Sequence, residues 1–403
     1  MAPISNLLAA FALAYGFCGS LTFAHPGEAP KDVRAISREI KRMSDVADYQ
    51  KSVMEECWDS PHVQELQQRA MERRAATVQQ LREERDLLDT PILDKRTLGD
   101  FKKWAKTNHN KTGSGITLAS PPSVLFGANA SCIMTPDNAN GPYYATMDKK
   151  LTRRSQKVKG EQIRSNVREN QKGVPMHLEM QFMDIKTCKP AKDVLVDIWS
   201  CNATGVYSGV SAAGQGGLSS TWLRGVQKTD IDGVVNFDTI FPGHYSGRAT
   251  HEHIITHVGA KVEANGSYTG GKINHLSQLF FEQSLISAVE ATAPYNTNKL
   301  PLTTNDADGY TGYAASSSYD PFPNYMFLGN KLDQGLFVWA LVGLDLAGDV
   351  ETYAQNAAYV DATGGHNNPK FNMGIIATPP PNTHGKREED LEDEEEGEVL
   401  GEE

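Results

Sequence analysis

Residues 242–253 read Pro-Gly-His-Tyr-Ser-Gly-Arg-Ala-Thr-His-Glu-His, and Ile254 and Ile255 follow at once. Two β-branched residues after an alternating polar run predict a β-strand that starts near His251. In a strand, side chains alternate between faces, so His251 and His253 share one face and Glu252 takes the other. Two imidazoles side by side suit a first-row metal ion. Tyr245 and Arg248 lie just upstream on a stretch punctuated by Gly243 and Gly247. A His-x-His pair alone is better read as two exposed strand histidines, so its surroundings decide how it is read here.

Outward from this stretch the chain keeps the period of a sheet. Met176, Leu178, Met180 and Phe182 alternate with His177, Glu179, Gln181 and Met183, which predicts a half-buried strand. A turn over Lys186–Asp193 leads to Val194, Val196 and Ile198, which resume the alternation. Asp232-Gly233 is a turn before Val234-Val235-Asn236-Phe237. Leu276–Glu282 and Leu336–Leu346 add two more strands. Short strands separated by Gly/Asp turns predict a mainly β fold, an antiparallel β-sandwich. Residues 290–334, rich in Asn, Thr, Ser, Tyr and Pro, read as a long loop, either bordering the site or an ordinary surface excursion.

The N-terminal part has a different period. Val33, Ile36, Ile40, Met43, Val46 and Val53 recur at helical spacing, and Ser60-Pro61 opens a second helix that runs to about Leu88. The pair predicts a helical hairpin over 25–107. Its apolar stripes must be buried on each other, on the β domain or on a second subunit, so a homo-oligomer through these helices is one expectation. The Arg-, Glu- and Gln-rich face of the second helix reads as solvated. A linker over 108–130, with a Gly-, Ser- and Pro-containing stretch at 108–123, leads into a β domain over 131–378. The remainder, 379–403, reads as a disordered acidic tail in which Lys386-Arg387 resembles a dibasic processing site.

Composition narrows the function classes. The 403-residue chain is 39% hydrophobic, below the usual globular share, which fits appendages around one large domain. Its formal charge of −11 is concentrated in residues 388–403, which hold 11 acidic groups and no Lys or Arg; residues 1–385 stand at only −2. Nucleic-acid binding calls for a basic face, and this balance argues against it. Residues 1–24 read as a signal peptide, with an apolar run and small residues before Ala24, although the start lacks Lys and Arg. No membrane anchor is expected after its removal. Mature protein would keep Cys57, Cys132, Cys188 and Cys201, an even number that suggests two disulfides. If strands 176–183 and 194–198 form a hairpin, about seven residues at ~3.3 Å each separate Cys188 from Cys201, too far for a bridge. That disfavours Cys188–Cys201, and with it Cys57–Cys132. Sequons at Asn110, Asn129, Asn202 and Asn265 fit a secreted glycoprotein, with Asn202 near enough to Tyr207 for burial to block a glycan.

The ordered set of motifs resembles the intradiol ring-cleavage dioxygenases. Tyr207 ends Trp199-Ser-Cys-Asn-Ala-Thr-Gly-Val-Tyr; Pro242-Gly-His-Tyr245, Arg248-Ala-Thr-His251-Glu-His253 and Gln278 within Leu276-Ser-Gln-Leu-Phe-Phe-Glu follow in the family's order. Gly141-Pro-Tyr-Tyr144 is similar to its opening motif, and the resemblance spans about residues 131–345. The pattern is most similar to the secreted, fungal-type members.

This resemblance implies a non-haem Fe(III) site with Tyr207 and His251 as equatorial ligands and Tyr245 and His253 as axial ones. A small aromatic diol would bind the iron as a dianion in place of hydroxide and Tyr245. With O2 it would be cleaved between its hydroxylated carbons to a muconate-type diacid. Arg248 would stabilise charge on the substrate, Gln278 would orient it, and Tyr144 would line the pocket. Two phenolates and a hydroxide balance three positive charges, and such neutrality suits a buried site. Only Ser246 and Gly247 separate Tyr245 from Arg248, which implies an open mouth. Glu252 replaces a usually apolar residue. The competing readings are a non-catalytic secreted β-sandwich that binds a ligand or cell wall, and a copper enzyme using His25 as a new N-terminus.

Overall fold

In the computed structural model the described residues are 60–92, 162–308 except 212 and 265, and 322–350. Shorter pieces lie at 52, 56–58, 120–121, 126, 145–147, 358–361 and 364–367. The leader, His25, nearly all of the first expected helix and of the linker, Cys132, Tyr144, the acidic tail and the sequons at Asn110, Asn129 and Asn265 fall outside them.

Strand β1 is Ala145–Met147, β2 Pro175–Asp184, β3 Leu195–Trp199, β4 Arg224–Lys228, β5 Val234–Ile240, β6 His251–Val262, β7 Tyr268–Phe280, β8 Asn324–Phe327, β9 Leu336–Leu344, β10 Ala358–Asp361 and β11 Gly364–Asn367. They form two four-stranded sheets, ordered β5-β2-β9-β8 and β4-β3-β6-β7, and a three-stranded sheet β1-β10-β11. Met180 and Phe182 of β2 and Val338 of β9 meet Ile198 of β3, Ile254 of β6 and Leu279 of β7 in one core. The two large sheets are therefore the layers of a β-sandwich.

The expected mainly β sandwich is present, and its large sheets are antiparallel except where β2 and β9 run parallel, Leu178 beside Val338. One expected pairing is corrected. Strand β2 does not pair with β3 as a hairpin: β2 lies between β5 and β9, and β3 lies between β4 and β6. The turn at 185–194 carries the chain from one layer to the other. Period-2 patterning reports which face a residue occupies but not which strand lies beside it.

The half-buried reading of β2 is also corrected: nine of its ten residues are buried. Helix α1, Pro61–Glu83, covers its outer face. Ser60 and Pro61 start this helix as expected. Val78 and Leu81 pack on Phe337 and Trp339 of β9 and Met326 of β8. The helix's charged face is not simply solvated. Arg74 Nε donates to Glu179 Oε1 at 2.7 Å, and Arg73 donates to both Glu179 oxygens at 3.2 Å. Burial alone raises the Glu179 carboxyl, but the two guanidiniums outweigh it and hold the group below its usual range. Arg82 donates to the carbonyls of Leu328, Leu87 and Thr90.

Cys57, just before α1, is bridged to Cys188 in the turn after β2, with a Cα–Cα distance of 5.4 Å. Cys201 is free and buried, so the expected pairing of all four cysteines does not occur. Its thiol lies among Trp199, Tyr207 and Tyr245 and donates to the Gly243 carbonyl at 3.3 Å. No Cys188–Cys201 bridge forms, as expected.

Segment 290–334 is a correction in part. It follows helix α2, Gln283–Glu290, and contains β8 as well as short 3-10 turns. Its first half packs on the 242–250 loop: His244 bonds Glu290 at 2.8 Å and the Leu300 carbonyl at 2.9 Å. The Gly247 amide donates to Thr303 Oγ1 at 3.0 Å. Burial alone would lower the His244 imidazole; the Glu290 contact outweighs it and holds it above its usual range.

The β6–β7 ladder is long, and its register shifts between Thr256 and His257. Among the described residues no helix is long and apolar enough to cross a membrane.

Candidate metal centre

The site is built on the outer face of β3-β6-β7. His251, His253 and Ile255 share that face, while Ile254 points into the inter-sheet core. In register, His253 lies between Trp199 of β3 and Gln278 of β7. The Trp199 indole stacks on the His253 ring, 4.6 Å between centroids and 7° from parallel. One strand row thus sets the orientation of His253, and alternation sets His251 beside it.

The tyrosines arrive on loops held together by two glycines. Tyr207 follows a turn in which Asn202 Oδ1 accepts from the amides of Thr204 and Val206. A Cβ on Gly205, at φ 81°, would lie 2.3 Å from the His244 carbonyl oxygen; one on Gly243 would lie 2.4 Å from that of Asn202. Only glycine lets the two backbones approach this closely. The Asn202 side chain also donates to Gln171, so it is occupied within the fold.

The donor atoms form a run. Tyr207 Oη lies 3.3 Å from His253 Nε2, His253 Nε2 3.1 Å from His251 Nε2, and His251 Nε2 3.3 Å from Tyr245 Oη. Neighbouring ligands about 2.0–2.1 Å from a metal and at right angles to one another stand roughly 3 Å apart. The set therefore fits a first-row ion. Among the described residues, no group of three or more His, Cys, Asp or Glu could hold a metal, so the phenols are needed to complete this one. His251 Nδ1 donates to the Ala249 carbonyl at 2.6 Å, which leaves Nε2 as the lone-pair nitrogen a metal requires. Burial pushes both phenols well above their ordinary range, so a cation is what would ionise them.

Arg248 is fully buried beside this set. Its terminal nitrogen donates to Gln278 Oε1, and the Gln278 amide nitrogen stands 3.5 Å from His253 Nδ1. Its Nε donates to Asp308 Oδ2 at 3.0 Å. Five expected residues, Tyr207, Tyr245, His251, His253 and Gln278, thus converge with Arg248; Tyr144 lies outside the described residues. Sequence reading missed two contributors. Asp308, 60 positions from Arg248, carries no local motif. Arg224 of β4 faces Trp199 in register and holds the Ser208 carbonyl at 2.8 Å, next to Tyr207. Glu252 points to the inter-sheet side as alternation requires. It is fully buried with neither carboxylate oxygen hydrogen-bonded, and burial lifts it to about 8.

Residues 140–266 match the dioxygenase family model Dioxygenase_C. No curated protein matches the chain. Among solved structures it is similar to an intradiol ring-cleavage dioxygenase from Tetranychus urticae, 26% identical with a TM-score of 0.43, covering 55% of this chain and 98% of that one. It is also similar to the dioxygenase domain of a dioxygenase carbohydrate-binding protein fusion from Streptomyces sp. SirexAA-E, with 22% identity, a TM-score of 0.32 and coverage of 53% and 99%. A third is catechol 1,2-dioxygenase from Pseudomonas arvilla C-1, with 19% identity, a TM-score of 0.33 and coverage of 55% and 65%. The matched span, about a third of the chain, holds both tyrosines, both histidines and Arg248, and over that span the chain is similar to dioxygenases of this family.

Proposed function

We propose that this chain is a secreted Fe(III) dioxygenase that cleaves catechol-type rings between the two hydroxylated carbons, yielding muconate-type diacids. The observation that carries the reading is the run Tyr207–His253–His251–Tyr245, with donor contacts of 3.1–3.3 Å. In the overall reaction one ring C–C bond and the O–O bond break, and both oxygen atoms enter the diacid. Bound Fe(III) would supply the charge that ionises the phenols and holds the diol as a dianion reactive towards O2.

The chain's own residues do the rest. Arg248 presents a fixed cation, already desolvated, to negative charge on the substrate, where it acts more strongly than in water. Gln278 holds that guanidinium on one side and stands beside His253 on the other, so it sets the distance between cation and ligand row. Tyr245 sits on the 242–250 loop, and once a bound cation has ionised it, its Oη would be the base that takes a proton from an incoming hydroxyl. Trp199 and the buried surroundings exclude water from the histidine row. Secretion is supported by the apolar leader and by the Cys57–Cys188 bridge, a bond suited to an oxidising compartment. Glycosylation is proposed at Asn110, Asn129 and Asn265 rather than at Asn202.

The test is a visible spectrum of the purified full-length protein with iron counted on the same sample. We expect a burgundy tyrosinate band at about one iron per chain, a shift on adding catechol under nitrogen, and a diacid product when O2 is admitted. A protein that stays colourless and inactive after iron is supplied would favour a non-catalytic β-sandwich.

A further inference from the structure

Asp308 stands at the head of two hydrogen-bonded chains, one leading to His251 of the candidate metal centre and one to Gln278, beside His253. In the first, Asp308 Oδ2 accepts from the Ala249 amide at 2.7 Å, and the Ala249 carbonyl accepts from His251 Nδ1 at 2.6 Å. In the second, Asp308 accepts from Arg248 Nε and Arg248 donates to Gln278, whose amide nitrogen stands 3.5 Å from His253 Nδ1. The carboxylate is buried and comes from a part of the chain that shares no strand with the ligands. The segment that brings it is fastened on the way: Asn298 Nδ2 donates to the His244 carbonyl at 2.8 Å, and Asn305 Nδ2 to that of Phe281 at 2.8 Å.

We propose that Asp308 is a positioning residue of this site. It fixes the Arg248 guanidinium through charge and the His251 ring through the Ala249 peptide. This rests on the metal-dependent reading above. The two jobs are separable by chemistry. An asparagine keeps an oxygen for the Ala249 amide but withdraws the counter-charge from Arg248. An alanine withdraws both. A glutamate keeps the charge one methylene out of place.

The experiment compares Asp308→Asn, Asp308→Ala and Asp308→Glu with the parent, full-length, after circular dichroism and melting establish the folded fraction. Two quantities are read: Fe(III) affinity by titration of the metal-free protein, and kcat and KM for catechol per bound iron. Asp308→Asn should bind iron as the parent does while kcat falls about 10–100-fold at little-changed KM; Asp308→Ala should also lose about 10–100-fold in iron affinity. Asp308→Glu should recover part of the kcat that Asp308→Asn loses. If Asp308→Ala does not fold, the difference between the other two variants carries the test. Parent-like kcat in Asp308→Asn, or parent-like affinity in Asp308→Ala, would overturn the assignment. If the parent itself cleaves no catechol, the proposed reaction falls; the affinity comparison then decides Asp308 alone, and equal affinities would reject it.

Discussion

The outer faces of the two sheets bury polar groups in opposite ways. Beneath α1, Arg73 and Arg74 close on Glu179, and opposite charges meet directly. On β3-β6-β7, two phenols and two imidazoles face one another with no cation of the chain among the four donors. The first arrangement is complete without a ligand. The second holds neutral phenols that only an added positive charge can ionise. A buried pair of opposite charges is complete in itself, whereas neutral donors that converge at 3.1–3.3 Å are a set that the proposed cation would complete.

Substitution in the two regions should separate these roles, and the largest effect falls on the donor row. Tyr207→Phe or His251→Ala is expected to abolish the iron-dependent colour and reduce turnover to background while the melting temperature changes little; full activity in Tyr207→Phe would break the comparison. Arg248→Ala should retain iron and lose about 10²–10³-fold in kcat, the scale of removing a transition-state donor, measured per bound iron.

Glu179→Ala should cost about 3–5 kcal/mol in denaturant unfolding, because it strands the buried Arg74 guanidinium, whereas Arg73 is partly exposed and keeps Asp232 at 3.8 Å. It should leave the colour of the folded protein unchanged. Colour lost with the fold intact would show that α1 and the metal centre are coupled.

The smallest expected effect sharpens the contrast with a third case, Glu252, whose carboxylate has no hydrogen-bond partner. Its folded carboxyl titrates near 8, above the ordinary carboxylic range, so the folded state holds a proton that the unfolded chain releases. Stability is therefore lost as pH rises from about 4.5 towards 8. Glu252→Leu should stabilise the metal-free protein by about 2–3 kcal/mol at pH 6.5, with the gain shrinking towards pH 4.5. A gain independent of pH would mean that shape rather than ionisation is responsible.

These contrasts follow how far each residue could be read from sequence. The strand at 251–255, the shared face of His251 and His253 and the inward turn of Glu252 rest on local alternation, and all three hold. Tyr207, Tyr245 and Gln278 could be identified because the ordered motifs resemble a known family. Asp308 and the burial of Arg74 were not legible, since each depends on a partner about 60 and 105 positions away. No local periodicity encodes such a meeting. The parallel β2–β9 pair and the Cys57–Cys188 bridge escaped for the same reason, while Cys201 was counted as a bridging residue although it is packed like a small hydrophobe.

The register shift between Thr256 and His257 has a consequence for how the molecule can change. It divides the long ladder into a ligand-bearing end and a distal hairpin, so a slip introduced at the hairpin tip can be absorbed before it reaches His253. The tip around 263–267 is thereby a tolerant place for inserted sequence, where a tag or a second module could be grafted without turning the histidines to the wrong face.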